Sequence, residues 1–181
     1  MNCERTFRNI ALIGFMGSGK STVGRLLAQH LQFEFVDTDA LIEASAGSSI
    51  SEIFEKSGEG TFRALEKQIV DEVSRLERTV ISTGGGLPAK AENLASLKGH
   101  SLVVCLWASA EVIWERVKHQ THRPLLRSAD PLETIRKLLV DREPFYKQAD
   151  VLVHTEQRPA KEVAQHVLHQ FYAVRDGQRD S

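Results

Sequence analysis

The 181-residue chain sets 23 Lys and Arg against 24 Asp and Glu, a net charge of −1, which gives no reason to expect nucleic acid as a partner. Its length fits a single domain over 1–181, and no uncharged apolar stretch nears the roughly 18 residues that span a membrane. Without a signal-like N-terminus, and with only Cys3 and Cys105, a soluble cytoplasmic protein with neither membrane partner nor disulfide framework is expected.

In chain order, Ile10-Ala11-Leu12-Ile13 reads as a short buried parallel strand. Val23, Leu26, Leu27 and Leu31 then recur at helical spacing. Between strand and helix, Gly14-Phe15-Met16-Gly17-Ser18-Gly19-Lys20-Ser21-Thr22 fits G-x-x-x-x-G-K-[ST], a phosphate-binding loop in the context that the motif requires. Gly17 and Gly19 let the backbone turn its N–H groups inward, so that they, with Ser18 and the helix N-terminus, surround the phosphates of a nucleotide. Lys20 is expected to reach the outer phosphates, Ser21 to ligate the magnesium ion that bridges them, and Thr22 to add a contact.

Glu34-Phe35-Val36 forms a second strand that runs into Asp37-Thr38-Asp39. Asp37 suits a helix cap and a ligand equally well by itself; the loop upstream favours the ligand, on the metal side. Ser49 and Glu52 make a capping box for a short helix that Gly58 can end, and Phe62, Leu65, Ile69, Val73 and Leu76 stripe a longer one. Arg63 sits at the edge of that stripe, where an i,i+3 pair with Glu66 and a ligand role are both open. Thr79–Ser82 is a third strand, followed by Gly84-Gly85-Gly86, whose bare backbone a small substrate could approach, and by a helix beginning near Pro88. Leu102–Leu106 is a fourth strand; no aspartate ends it, which leaves Asp37 to help hold the ion. After a helix over Glu111–Lys118 comes His119–Asp130, a basic connection expected to be a lid. Pro131 opens a helix that Pro144 stops, Val151–Val153 is a fifth strand, and Pro159 opens the last helix, with a loose tail over about 174–181. Strands alternating with helices imply a three-layer α/β fold on a parallel sheet. The loop, the acidic pair, the triple glycine and arginines 63, 123 and 142 converge on one sheet edge. Arg has the planar fork that matches a carboxylate, so the residues describe a kinase for a small anionic alcohol.

From Asn9 to about Phe171 the sequence resembles the shikimate kinase family. The resemblance rests on Gly14–Gly24, Asp37-Thr38-Asp39, Ile53-Phe54, Gly58-Glu59, Phe62-Arg63, Gly84-Gly85-Gly86, Arg123-Pro124-Leu125-Leu126 and Arg142-Glu143-Pro144-Phe145-Tyr146. It implies a nucleoside-monophosphate-kinase-like fold with strand order 2-3-1-4-5 and a substrate-binding excursion over about 40–67. It also implies transfer of the γ-phosphoryl group of ATP, with Mg2+, to the 3-hydroxyl of shikimate, on the chorismate route to aromatic amino acids. By resemblance Asp39, Arg63, Gly85 and Arg142 are shikimate ligands, with Gly84 and Gly86 beside them. Arg123 is the lid arginine on ATP, Arg158 a contact near the adenine, and Ser21 with Asp37 through water the magnesium site. Lys20, Asp39 and Arg123 are the catalytic candidates, and a monomer is expected. A gluconate-type kinase and a non-catalytic paralogue that only binds nucleotide are the alternatives. A guanine-nucleotide switch would require an N-K-x-D motif, which is absent.

Overall fold

Strand β1 (Asn9–Ile13) is buried along its whole length. Its side chains alternate between two apolar clusters, Ile10 and Leu12 entering one and Ala11 and Ile13 the other, as period-two geometry requires of a strand covered on both faces. The computed structural model describes residues 7–120 and 128–177. Within it β2 (Glu34–Asp37), β3 (Thr79–Ser82), β4 (Ser101–Trp107) and β5 (Val151–His154) join β1 in one sheet of order β2-β3-β1-β4-β5. All four pairings are parallel. Helices α1 (Lys20–Leu31) and α7 (Ala160–Gly177) cover one face; α2 (Thr38–Ala46), α3 (Ile50–Val73), α4 (Ala91–His100), α5 (Ala110–Val117) and α6 (Pro131–Tyr146) contribute to the other cluster. This is the P-loop nucleoside-monophosphate-kinase-like arrangement. The chain leaves β1 for β2 on one side and later places β4 on the other, so the topology diverges at the carboxyl end of β1, where open α/β sheets form their ligand crevice.

Several elements differ from the sequence reading. The capping box at Ser49 and Glu52 is formed, and the break expected at Gly58 is a left-handed kink (φ 76°) between two helical stretches of α3. A 3-10 turn over Leu87–Ala89 holds Pro88, and α4 itself begins at Ala91. Pro144 does not stop α6. Proline removes one N–H from the ladder, yet Lys147 N–H still closes on the Glu143 carbonyl at 2.9 Å. The extra turn buries Tyr146 edge-on against Trp107, ring centroids 6.4 Å apart. Likewise α7 runs through Gly177 rather than giving way to a loose tail at about 174, because Val174 still packs on the apolar cluster beneath it.

Opposite the crevice, a polar knot closes the amino ends of the strands. Thr79 N–H donates to Asn9 Oδ1 at 3.0 Å, which turns Asn9 Nδ2 towards the Leu76 carbonyl (2.7 Å) and His100 Nδ1 (3.1 Å). Nδ1 is thereby an acceptor, and the neutral ring carries its proton on Nε2, which has no hydrogen-bond partner among the described residues. His100 is 4% exposed. Burial first, and the charge of Arg8 second, lower its pKa from the ordinary 6.5. A lowered histidine pKa means that the folded state takes up its proton later than the unfolded one. Stability is therefore full above the unfolded value and is lost as pH falls through 6.5 towards the depressed folded value. Thermal melting at about pH 7.5 and about pH 5 should show a smaller acid loss of Tm in His100→Gln than in the parent; an identical loss would place the acid sensitivity elsewhere.

Candidate active site

The phosphate-binding loop begins where β1 ends, and its glycines are required for two different reasons. Gly14 (φ 138°) and Gly17 (φ 74°) lie close against neighbours: a methyl group on Gly14 would collide with the Leu106 carbonyl, and one on Gly17 would lie 2.6 Å from Val117 Cγ1. Gly19 has open space around it but caps α1 in the left-handed region (φ 98°), which favours glycine. Lys20 arches back over the loop, its Nζ donating to the carbonyls of Gly14 and Phe15, both at 2.9 Å. Beneath it, burial pushes the Cys105 thiol up to about 12 against the pull of Lys20, so this cysteine stays a protonated core residue.

A cleft of about 690 Å³ opens over the loop, lined by Gly17 through Val23 and by Asp37, Asp39, Arg116 and Arg158 among others. At its floor the Ser21 hydroxyl donates to Asp37 Oδ2 at 3.1 Å, while Asp37 Oδ1 accepts the Asp39 N–H at 3.1 Å and caps α2. Cap and ligand-side carboxylate are thus compatible, each using a different oxygen. These hard oxygen donors suit a magnesium ion. The described residues contain no cluster of three His, Cys, Asp or Glu able to enclose an ion; phosphate and water oxygens would complete the shell of an ion held at Ser21.

A second cleft, of about 640 Å³, lies between α3 and α6. Here the i,i+3 pair weighed from the sequence is formed, and Arg63 faces the cleft as well. Its Nη1 donates to Glu66 Oε2 at 2.6 Å, and its Nε and Nη2 donate to Glu59 Oε1 at 3.1 and 2.9 Å. Glu66 is 1% exposed; burial raises its pKa, with Arg63 and then Arg142 pulling the other way. Arg142 comes from α6, its guanidinium carbon 5.1 Å from the centroid of the Phe15 ring. The triple glycine lies among these groups. A methyl group on Gly86 would lie 3.4 Å from Arg63 Nη1 and 3.7 Å from Arg142 Nη2, and one on Gly85 3.3 Å from Arg142 Nη1. A methyl group on Gly84 would run into Asp39 Oδ1.

The two clefts share Met16, Asp39 and Gly85. Lys20, Ser21, Thr22, Asp37 and Arg158 therefore line one chamber, Arg63, Gly84, Gly86 and Arg142 the other, and Asp39 stands where they meet. Arg123 and most of the expected lid lie outside the described residues. The sequence reading passed over Arg116, which donates to the Gly17 carbonyl at 3.1 Å and the Thr155 carbonyl at 2.8 Å. It also passed over Phe15 as the platform under Arg142. Both are ordinary in sequence, a basic residue in the last turn of a helix and an apolar one within a motif, and no local signal marks them.

Fold and site together define a P-loop phosphotransferase with a second cleft lined by two arginines. The family model described as Shikimate kinase matches residues 16–172. The chain is 44% identical over 170 residues to a shikimate kinase from Thermodesulfovibrio yellowstonii, covering 94% of this chain and 98% of that one. A shikimate kinase from Acinetobacter baumannii, solved in complex with shikimate, superposes with a TM-score of 0.88 at 39% identity, covering 93% of this chain and 95% of that one. The chain belongs to the shikimate kinase family and is an ATP-dependent kinase. A gluconokinase from Sinorhizobium meliloti matches at a TM-score of 0.63 with 21% identity, which is a likeness of fold alone.

Because Asp39 rests against bare Gly84, Gly84→Ala is expected to displace the carboxylate. Turnover should fall about tenfold or more, with binding of an ATP analogue retained in calorimetry; normal turnover would show that Asp39 does not depend on this contact.

Proposed function

We propose that the chain transfers the γ-phosphoryl group of ATP to the 3-hydroxyl of shikimate, giving shikimate 3-phosphate and ADP on the chorismate route to aromatic amino acids. The observation that carries this is the junction of a phosphate-binding cleft and an arginine-lined cleft at Asp39. The loop N–H groups and Lys20 hold the β- and γ-phosphates. To do so, the Lys20 ammonium turns from the Gly14 and Phe15 carbonyls towards the phosphate oxygens. Arg63 and Arg142 grip the acceptor carboxylate beside Gly86, with the Gly85 N–H offered to a ring hydroxyl and Gly84 beside it. That grip sets the acceptor hydroxyl against Asp39, which orients it and takes its proton as the new oxygen–phosphorus bond forms. Ser21, and Asp37 through water, would hold the magnesium ion, whose chemistry is to neutralise charge on the phosphate oxygens. Arg158, exposed at the rim of the same cleft, contacts the adenine side. The role of Arg123 on ATP rests on the sequence resemblance, and a lid over 119–130 on the basic, aperiodic sequence of that connection. The cysteine usage suits the cytoplasm.

A coupled assay of ADP release with shikimate, gluconate and no acceptor tests the reading, with release expected only with shikimate. Turnover of gluconate in its place would sink it, as would nucleotide binding with no release at all. Lys20→Ala is expected to lower kcat by on the order of a hundredfold, since it removes a charge acting on the transferring group. Asp39→Asn should keep its Tm and ATP binding while losing most turnover. Arg63→Lys and Arg142→Lys should raise KM for shikimate far more than for ATP, since lysine cannot reproduce a bidentate fork.

A further inference from the structure

Three glycines in succession form the least constrained backbone that a chain can have, yet Gly84-Gly85-Gly86 lies where an acceptor must be held to within a fraction of an ångström. The turn's own backbone supplies a hydrogen bond from Leu87 N–H to the Gly84 carbonyl at 3.2 Å. Ala89 N–H adds a bond to the Gly86 carbonyl at 3.1 Å, and two buried hydroxyls from elsewhere in the chain add two more. Thr38, at the start of α2 and 0% exposed, accepts the Gly84 N–H at 3.0 Å. Tyr146, in the last turn of α6 and 1% exposed, donates to the Gly85 carbonyl at 2.8 Å. The Tyr146 ring is braced by Trp107, and burial raises the phenol's pKa so that it keeps its proton and remains a donor, Arg142 acting against that rise.

The planarity of the trans peptide then fixes the next atom. A carbonyl and the N–H that follows it point in opposite directions, so holding the Gly85 carbonyl towards Tyr146 turns the Gly86 N–H the other way. That N–H makes no backbone hydrogen bond among the described residues, and Gly86 lines the acceptor cleft against Arg63 and Arg142. Tyr146 also lies four residues after Arg142, on the same face of α6. One helix face thus carries both the arginine of the acceptor chamber and the hydroxyl that aims the backbone beside it.

We infer that Tyr146 and Thr38 are positioning residues for the acceptor: their hydroxyls pin the glycine turn at Gly85 and Gly84 and hold the Gly86 N–H towards the acceptor cleft. Neither touches the reacting atoms. The inference rests on the shikimate kinase reading above and assigns the geometry of that site to two side chains outside it.

The test uses Tyr146→Phe, which keeps the ring against Trp107 and removes only the donor, and Thr38→Val, which removes only the acceptor. KM for shikimate and for ATP are measured separately, well below each variant's Tm. Each variant is expected to raise KM for shikimate about tenfold, the scale of one lost hydrogen bond at a binding site, with KM for ATP changed less than about twofold. The double variant should lose less than the product of the two effects, since both act on one turn. An unchanged KM for shikimate would overturn the inference, and so would equal rises in both KM values that track the loss of Tm. Should Tyr146→Phe fail to fold, Thr38→Val carries the same test. A parent that turns over shikimate beside variants with unmoved KM overturns the positioning role alone; a parent inert with shikimate overturns the functional reading as well.

Discussion

The active end depends on one constraint: the chain must leave a fully buried strand and enter a helix while presenting backbone N–H groups, not side chains, to the solvent between them. β1 is covered on both faces, so its carboxyl end has little freedom to shift, and Gly14 and Gly17 press against Leu106 and Val117 where no side chain fits. The loop is therefore rigid through packing from below. Its charge is held in the same way, with the Lys20 ammonium on two carbonyls of its own loop, 8% exposed. A lysine held by two carbonyls of its own loop stands in a protected place beside the phosphate-binding cleft.

The arginine-lined cleft follows a different logic, set by the unequal partners of Arg63. The Glu66 side chain is 2% exposed and that of Glu59 66% exposed. Removing one partner of a buried pair costs about 3–5 kcal/mol, whereas an exposed pair contributes about 1 kcal/mol or less. The Glu66 contact therefore holds the arginine in register, and the Glu59 contact is the more easily exchanged of the two. Among the described residues Arg142 forms no such ion pair and lies instead on Phe15. Two guanidiniums are thus brought to one glycine by unlike means, an ion pair from α3 and an aromatic surface from the phosphate-binding loop. The second couples the chambers, since Phe15 belongs to the loop that frames the first.

Much of this was legible in the chain, and the failures have specific causes. The strands, the break at Gly58 and the capping box at Ser49 follow from local rules of periodicity and turn chemistry. The expected stop at Pro144 did not occur, because the local cost of proline is smaller than the gain from burying Tyr146 two residues later, a contact made across 39 residues with Trp107. The tail likewise stays helical through Gly177 on account of a neighbour that local sequence does not reveal.

For the site, the sequence alone supplied the candidates. The loop spacing carries a local physical signature, whereas the Asp37 and Asp39 pair, the triple glycine and the arginines are ambiguous one by one and point to a kinase only in the company of that loop. The tertiary structure decided which of them meet. Only the sheet order places β1 between β3 and β4 and so brings Gly85 and Asp39 to the shared wall of two clefts. Only packing buries Glu66 and leaves Glu59 in water, and only the close approach of α2 and α6 sets Thr38 and Tyr146 against the glycine turn. Such contacts join residues from 46 to 61 positions apart, and a residue's local pattern holds no record of a neighbour that the fold supplies from so far along the chain.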